Sequence, residues 1–340
     1  MALDRPLVRA PEFPPVEWLN TPAPPSLSQL RGQVLLIDVW DFTCINCLRT
    51  LPTLRDWDRR YEAAGLVTLG VHTPEFPFAR DTEAVRRAVG RLGIRWPVAL
   101  DNRQEIWTAF ANRVWPTIYL IDRAGYIRFR REGEGGTFEI ETAVRTLLVD
   151  SPSGDSALPQ PLRPSTEAAD GGFCLPATPE LQIEAIERPI LEDKATSLVI
   201  PDHLAEGAFY LEGEWRAVQR GATLESERGE IALPFQGSAV HAVMAHGGDS
   251  RGSRGEEPAW LEALLDGRSV PSGAFGQDLQ RHEGGTWLRV DSARTYNVLQ
   301  SVEPGLHELR LRLVSPGTTL YAFSFDACSL PPSNLRSDTC

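Results

Sequence analysis

Val34-Leu35-Leu36-Ile37-Asp38-Val39-Trp40 is a nearly unbroken apolar run that leads through Asp41-Phe42-Thr43 into Cys44-Ile45-Asn46-Cys47. Such a run needs cover on both faces, as in a central strand of an α/β sheet. Two cysteines three residues apart at a helix start lie on one face, with Cβ atoms roughly 5–6 Å apart, and small adjustments bring them within disulfide range. The first backbone N–H groups of a helix have no intrahelical partners and carry partial positive charge, which favours a thiolate at the leading cysteine. Cys44 is therefore assigned as the nucleophile. Cys47, one turn in and more buried, is assigned as the resolving thiol. Asp38 lies in the apolar strand six residues before Cys44. Burial there raises a carboxyl pKa and suits the group to exchange the proton of Cys47. Pro52 falls inside the helix that follows and is expected to kink it.

Two other uses of the pair stay open. As half of a zinc site it lacks a second ligand pair: there is no other Cys-x-x-Cys and no His-x-x-x-His, and Cys174, Cys328 and Cys340 lie far along the chain. A purely structural disulfide is disfavoured in a cytosolic setting. No metal is expected.

The segments Asp41-Phe42-Thr43-Cys44-Ile45-Asn46-Cys47, Val71-His72-Thr73-Pro74-Glu75-Phe76, Trp115-Pro116-Thr117 and Gly133-Glu134-Gly135 resemble those of the thioredoxin fold of the TlpA or redoxin type. More narrowly, they resemble the soluble C-terminal region of DipZ-like proteins, where a thioredoxin-like domain precedes a carbohydrate-binding-module-like β-sandwich. A related Cys-Ile-Asn-Cys domain occurs in NHL-repeat-containing redoxins. The resemblance is strong over residues 11–150 and rests on pattern over 176–328. It implies thiol–disulfide exchange through a Cys44–Cys47 redox disulfide and supports Asp38 as the proton carrier. It also implies a cis Pro116 that faces the cysteines and leaves neighbouring backbone groups open to an extended substrate segment. Trp115 would then shape the substrate groove; the alternative is a Trp that only packs.

Glu75 follows a buried strand at the carboxyl edge where α/β sites form, and it is a further candidate catalytic residue, with His72 ranked behind it. Against this, Thr73-Pro74-Glu75 is also an ordinary helix start, with Thr as cap and Pro at the first position. Peroxide reduction does not fit, because Thr43 is adjacent to Cys44 instead of three residues before the reactive cysteine, and no proline stands upstream in the right place.

Residues 1–150 read as a thioredoxin-like domain with a proline-rich lead-in over 11–30. Strands are expected at 34–40, 66–71 and 97–100, and helices at 44–61, 82–92 and 104–110. A hairpin of 117–122 and 126–131 turns at Arg123-Ala124-Gly125, and a last helix carries Ile140, Val144, Leu147 and Leu148. On the first helix, Cys47, Leu51, Leu54 and Asp58 are expected along one side with Leu48 beside them. Residues 151–175 are a linker of Ser, Pro, Asp and Gly. Residues 176–330 alternate apolar and polar residues in short segments between turn clusters. These are 208–211, 231–235, 239–244, 261–265, 287–290, 296–299, 306–314 and 320–325, the pattern of an all-β, jelly-roll-like sandwich. The loop 247–258 is polar and glycine-rich, and 331–340 is a tail. Cys174 and Cys328 bracket the β domain, either as free buried thiols or as a pair. Cys340 reads as exposed and incidental, with a tail thiol that reaches the active site as the alternative.

The net charge of −12 falls in the second half, where 15 basic residues face 27 acidic ones. This argues against nucleic acid or an anionic membrane as partner. Met1–Pro15 lacks the apolar core of a signal peptide, and no run reaches the ~18 apolar residues of a membrane span. Together with the scattered cysteines, this reads as a cytoplasmic chain; DipZ-like proteins differ in carrying a membrane-embedded region ahead of these domains. The expected function is a thiol–disulfide oxidoreductase with a disulfide-containing partner and a reductant, and it needs no bound cofactor. The alternative is a binding or adaptor protein whose β-sandwich recognises a glycan or a protein, with Trp215, Trp260 and Trp287 as sugar platforms or as core.

Overall fold

The computed structural model describes residues 3, 8–149, 158–162, 177–186, 190, 194–247, 257–282, 284–303 and 305–326. It divides into two compact units, 1–167 and 168–340. Cys174, Cys328, Cys340 and most of the 247–258 loop lie outside the described residues. Among the described residues, no helix is long and apolar enough to cross a membrane.

The first unit runs β1 (Trp18–Leu19), β2 (Val34–Trp40), α1 (Ile45–Tyr61), β3 (Leu66–His72), α2 (Thr82–Arg91), β4 (Val98–Leu100), α3 (Glu105–Ala109), β5 (Thr117–Ile121), β6 (Ile127–Glu132) and α4 (Thr137–Val149). These strands form one sheet in the order β1-β4-β3-β2-β5-β6. This is the thioredoxin-like α/β arrangement. β2 is central, parallel to β3 and antiparallel to β5, and all its residues are buried, which accounts for its apolar run. Side chains alternate across the sheet. Leu35, Ile37 and Val39 pack with Leu69, Val71, Ile106 and Tyr119 on one face. By register, Asp38 and Trp40 share the other face with Gly70 and His72.

Pro52 lies within α1 without ending it, and the buried stripe is Cys47, Leu51, Leu54, Trp57 and Tyr61. Leu48 and Asp58, expected on that side, are only half-buried. Trp57 takes the inward position because burying an indole removes much more apolar surface from water than burying a carboxylate's stem. The β5–β6 hairpin turns through Gly125 at φ +83°. β1 sits inside the proline-rich lead-in and pairs antiparallel with β4. Two residues are too few to show a period.

Residues 158–162 fall within the stretch that composition marks as linker, yet they are fastened to α1 and α4. The buried Glu141 carboxylate accepts from Tyr61 Oη at 2.6 Å and from the Leu162 N–H at 2.8 Å. Arg145 donates to the Pro159 carbonyl and to Tyr61 Oη.

The second unit contains β7 (Leu181–Gln182), β8 (Thr196–Leu198), β9 (Tyr210–Val218), β10 (Gly221–Leu224), β11 (Gly229–Gln236), β12 (Ala239–His246), β13 (Ala259–Leu265), β14 (Arg268–Ser269), β15 (Leu279–His282), β16 (Gly285–Val290), β17 (Arg294–Leu299), β18 (Leu306–Leu313) and β19 (Thr318–Asp326). The main path is β15-β16-β13-β18-β11-β9-β10-β19-β12-β17. It folds into two leaves around one core that includes Trp215, Phe235, Leu261, Leu311 and Phe323. β9 belongs to both leaves: Tyr210–Glu212 pair with β11, and Trp215–Val218 pair with β10. The chain changes leaf at Gly213, at φ +110°, where a Cβ would stand 2.9 Å from the Arg228 carbonyl oxygen. The expected strands all occur. Alternation does not reveal β7, β8, β10, β14 and β15, which have two to four residues each.

Candidate active site

Strand register gathers four loops at one end of the first sheet. Trp40 ends β2 opposite His72, His72 pairs with Leu100, and β5 opens with Thr117 opposite Val39. The chain leaving these positions carries Asp41–Cys44, Thr73–Glu75, Asp101 and Trp115–Pro116.

Cys44 is the N-cap of α1, and its sulfur accepts the Cys47 backbone N–H at 3.2 Å. Cys44 is half-buried, whereas Cys47 is 1% exposed. The two form a disulfide with Cα atoms 5.3 Å apart. In the reduced form, the same N–H stabilises a thiolate on Cys44. The accessible sulfur is thus the one held in the helix-start field, and the second sulfur lies behind it.

Asp38 is 1% exposed, and among the described residues no donor reaches either carboxyl oxygen. Burial alone pushes its pKa up to about 7. Opposite it in β3 stands Gly70. An ideal Cβ there would meet Trp96 Nε1 at 3.1 Å, Trp40 Nε1 at 3.2 Å and Val98 Cγ2 at 3.2 Å. The two indoles close over the space a side chain would take.

Asp41 is a buried residue that sequence patterning does not single out. Its Oδ1 accepts the Thr43 N–H at 2.8 Å and the Thr43 hydroxyl at 2.9 Å, and its Oδ2 accepts the Glu75 backbone N–H. The Asp41 carbonyl accepts the Cys44 N–H at 3.3 Å. His72, fully buried between Trp40 and Phe42, places Nε2 3.7 Å from Asp41 Oδ1. One carboxylate therefore ties the loop before Cys44 to the loop after β3. The short Asp-x-Thr spacing is its only sequence signal, since the Glu75 contact spans 34 residues.

Glu75 is brought to this loop cluster, with its backbone on Asp41 and its side chain half-buried. Thr73 does not cap a helix: its hydroxyl donates to Asp101 Oδ2 at 3.2 Å, and the next helical turn starts only at Pro77. The Trp115–Pro116 peptide is cis. Trp115 is half-buried; its Nε1 donates to the Thr73 carbonyl at 3.1 Å and its ring lies 4.3 Å from that of Trp107. In the second unit, Trp215 is core and its Nε1 donates to the Glu212 carbonyl. Trp260 and Trp287 are half-buried. Among the described residues, no three His, Cys, Asp or Glu side chains are grouped as a metal site.

Residues 8–147 match the redoxin family model, and residues 182–326 match the model described as a thioredoxin-like C-terminal domain. The chain thus carries a redoxin domain followed by a thioredoxin-like C-terminal domain. It is similar to protein DipZ of Mycobacterium tuberculosis, 37% identical over 253 residues, which are 72% of this chain and 36% of DipZ. The chain thus spans about a third of the length of that relative. The thiol-disulfide oxidoreductase YkuV of Bacillus subtilis is 25% identical over 135 residues, 39% of this chain and 89% of YkuV. Among solved structures, a thiol-disulfide isomerase from Corynebacterium glutamicum matches 42% of this chain and 98% of its own at 26% identity, with a TM-score of 0.39.

Proposed function

We propose that this chain is a thiol–disulfide oxidoreductase that works through the Cys44/Cys47 dithiol on disulfides in proteins or small molecules. The Cys44 thiolate attacks one sulfur of the partner disulfide. The partner's S–S bond breaks and a mixed disulfide forms. Cys47 then gives up its proton to Asp38 and attacks the Cys44 sulfur, which closes the internal disulfide and releases the second partner thiol. The partner gains two electrons and two protons, and a separate reductant restores the dithiol. Trp115 and Pro116 hold the partner backbone, and Glu75 is a further catalytic candidate beside them.

The observation that carries this reading is the arrangement of the sulfurs: Cys44 accessible at the N-cap with an N–H on it, Cys47 buried one turn behind. The similarity to YkuV, named as a thiol-disulfide oxidoreductase, supports this reading. We place the activity in the cytoplasm, in keeping with five cysteines of which three are scattered and two form a single close pair. The test is Cys47→Ser in the full chain. It should accumulate mixed disulfides on Cys44 that dithiothreitol releases, while the unaltered chain titrates reversibly with two electrons. A Cys44 that alkylates no faster than an ordinary thiol at neutral pH and traps no partner would overturn the proposal.

A second reading concerns the β domain as a glycan- or protein-binding module. Trp260 and Glu262 alternate with the core residues Leu261 and Ala263, and Trp287 pairs with Glu262, so both indoles lie on the outer face of one leaf. The Trp260 ring stacks 5.7 Å from that of His282. Ligand binding unchanged in a Cys44→Ser, Cys47→Ser variant and lost in Trp260→Ala supports this module.

A further inference from the structure

Asn46 stands between the two cysteines, and its side-chain oxygen accepts from Arg49 Nη2 one turn further along α1. Arg49 in turn makes a two-pronged ion pair with Glu134: Nε to Oε2 at 2.7 Å and Nη2 to Oε1 at 2.7 Å. Glu134 sits in a tight loop whose Gly133, Gly135 and Gly136 all have positive φ. That loop is joined to the cis-proline segment, because the Gly133 N–H donates to the Pro116 carbonyl at 2.8 Å. A cation and an anion, 32% and 41% exposed, are thus held near the dithiol in the two-pronged geometry that gives an arginine–carboxylate pair its strength and direction.

We infer that Arg49 and Glu134 are an opposed pair of positioning residues that sets how strongly the Cys44/Cys47 couple holds its electrons. The inference rests on the thiol–disulfide reading above. The guanidinium is bonded to Asn46, which stands between the two cysteines, and this places its charge at the first turn of α1; such a charge acts over distances up to the Debye length, about 10 Å at 0.1 M salt. The reduced form carries a thiolate and the oxidised form a neutral disulfide. A nearby cation therefore favours the reduced form, and a nearby carboxylate opposes it. Arg49 supplies the first effect and Glu134 offsets it. Both charges act on the sulfur across the first turn of α1, and neither needs to touch the partner.

The other ionisable groups at this end of the sheet include Asp38, Asp41, His72, Glu75 and Asp101, together with Glu132, which stands opposite Thr117 and pairs with Arg130, and Arg131, which packs on Gly136 and pairs with Glu139. They are the same in the unaltered chain and in both variants of the test, so they cancel in the comparison.

The test equilibrates the full-length chain with glutathione, in which two thiols of the protein become its disulfide while one oxidised glutathione becomes two reduced ones. Glu134→Gln should lower the oxidation equilibrium constant about two- to fourfold and speed iodoacetamide alkylation of Cys44 at mildly acid pH. Arg49→Gln should move both quantities by a similar factor the other way. A clamp that matters only mechanically is broken by either substitution, so shifts of the same sign, or none in either variant, overturn the inference. If the unaltered chain shows no reversible two-electron couple, it is the oxidoreductase reading itself that fails.

Discussion

The backbone N–H of Cys47 points at the sulfur of Cys44 from 3.2 Å, so one atom serves both as the more accessible sulfur of the pair and as the cap of α1. Serine replaces that cap well and alanine does not. Under reducing conditions, Cys44→Ser should unfold in urea within about 0.5 kcal/mol of the unaltered chain, and Cys44→Ala should lose about 1 kcal/mol more. Both should be inactive in disulfide exchange. Equal stability of the two variants would show that the capping contact is idle.

Asp38 gives a pH signature. Its folded pKa, about 7, is above its unfolded value of 3.8, so the folded state keeps a proton that the unfolded state releases. Its contribution to stability is full below about pH 4, declines as pH rises and is gone above about pH 7. Relative to Asp38→Asn, the unaltered chain should therefore lose on the order of 3–4 kcal/mol between about pH 4 and pH 8. Urea midpoints across that range measure it. A stability difference that does not change with pH would contradict a raised pKa in the folded chain.

Every group that faces the Asp41 carboxylate in the bonds described above is a donor. An amide at this position can accept on one side only and turns its own N–H₂ toward another donor on the other. Asp41→Asn should cost about 1–3 kcal/mol and slow disulfide exchange, because the loop before Cys44 loses its tie to Glu75. Thr43→Val, which removes the hydroxyl bond to Asp41, should cost about 1 kcal/mol. Thermal melts together with insulin-reduction rates check both.

Gly213 makes a separate prediction for the β domain. A side chain there meets the Arg228 carbonyl at 2.9 Å and must adopt φ +110°, so Gly213→Ala should destabilise the chain by about 1–3 kcal/mol. Gly267→Ala, at φ +73° with nothing within 4 Å of its Cβ, should cost about 1 kcal/mol. Circular dichroism melts that rank the two the other way would argue against a strained leaf crossing.

The placement of the Cys44–Cys47 pair was legible because its signals are local: an apolar strand, a helix start and two cysteines one turn apart. The same holds for the β5–β6 hairpin with its Gly125 turn and for the longer strands of the second unit. Asp41 was not legible, because its meaning depends on the Glu75 N–H, which only the parallel pairing of β2 with β3 brings near. Thr73 fits a helix cap locally, since Pro74 and Glu75 follow it, but Asp101, 28 residues away, takes its hydroxyl instead. Trp57 replaces Asp58 on the buried side of α1 because a shift of one position is within the tolerance of a helical period, and bulk decides between them.

Gly70 shows how much can depend on a missing atom. With two indole nitrogens and a valine methyl already within 3.2 Å of the place a β-carbon would occupy, any larger residue presses on Trp96, Trp40 and Val98 together, and Trp40 is the link in the chain directly before Asp41. A methyl group added on the neighbouring strand would thus be felt at the sulfur chemistry without touching either cysteine.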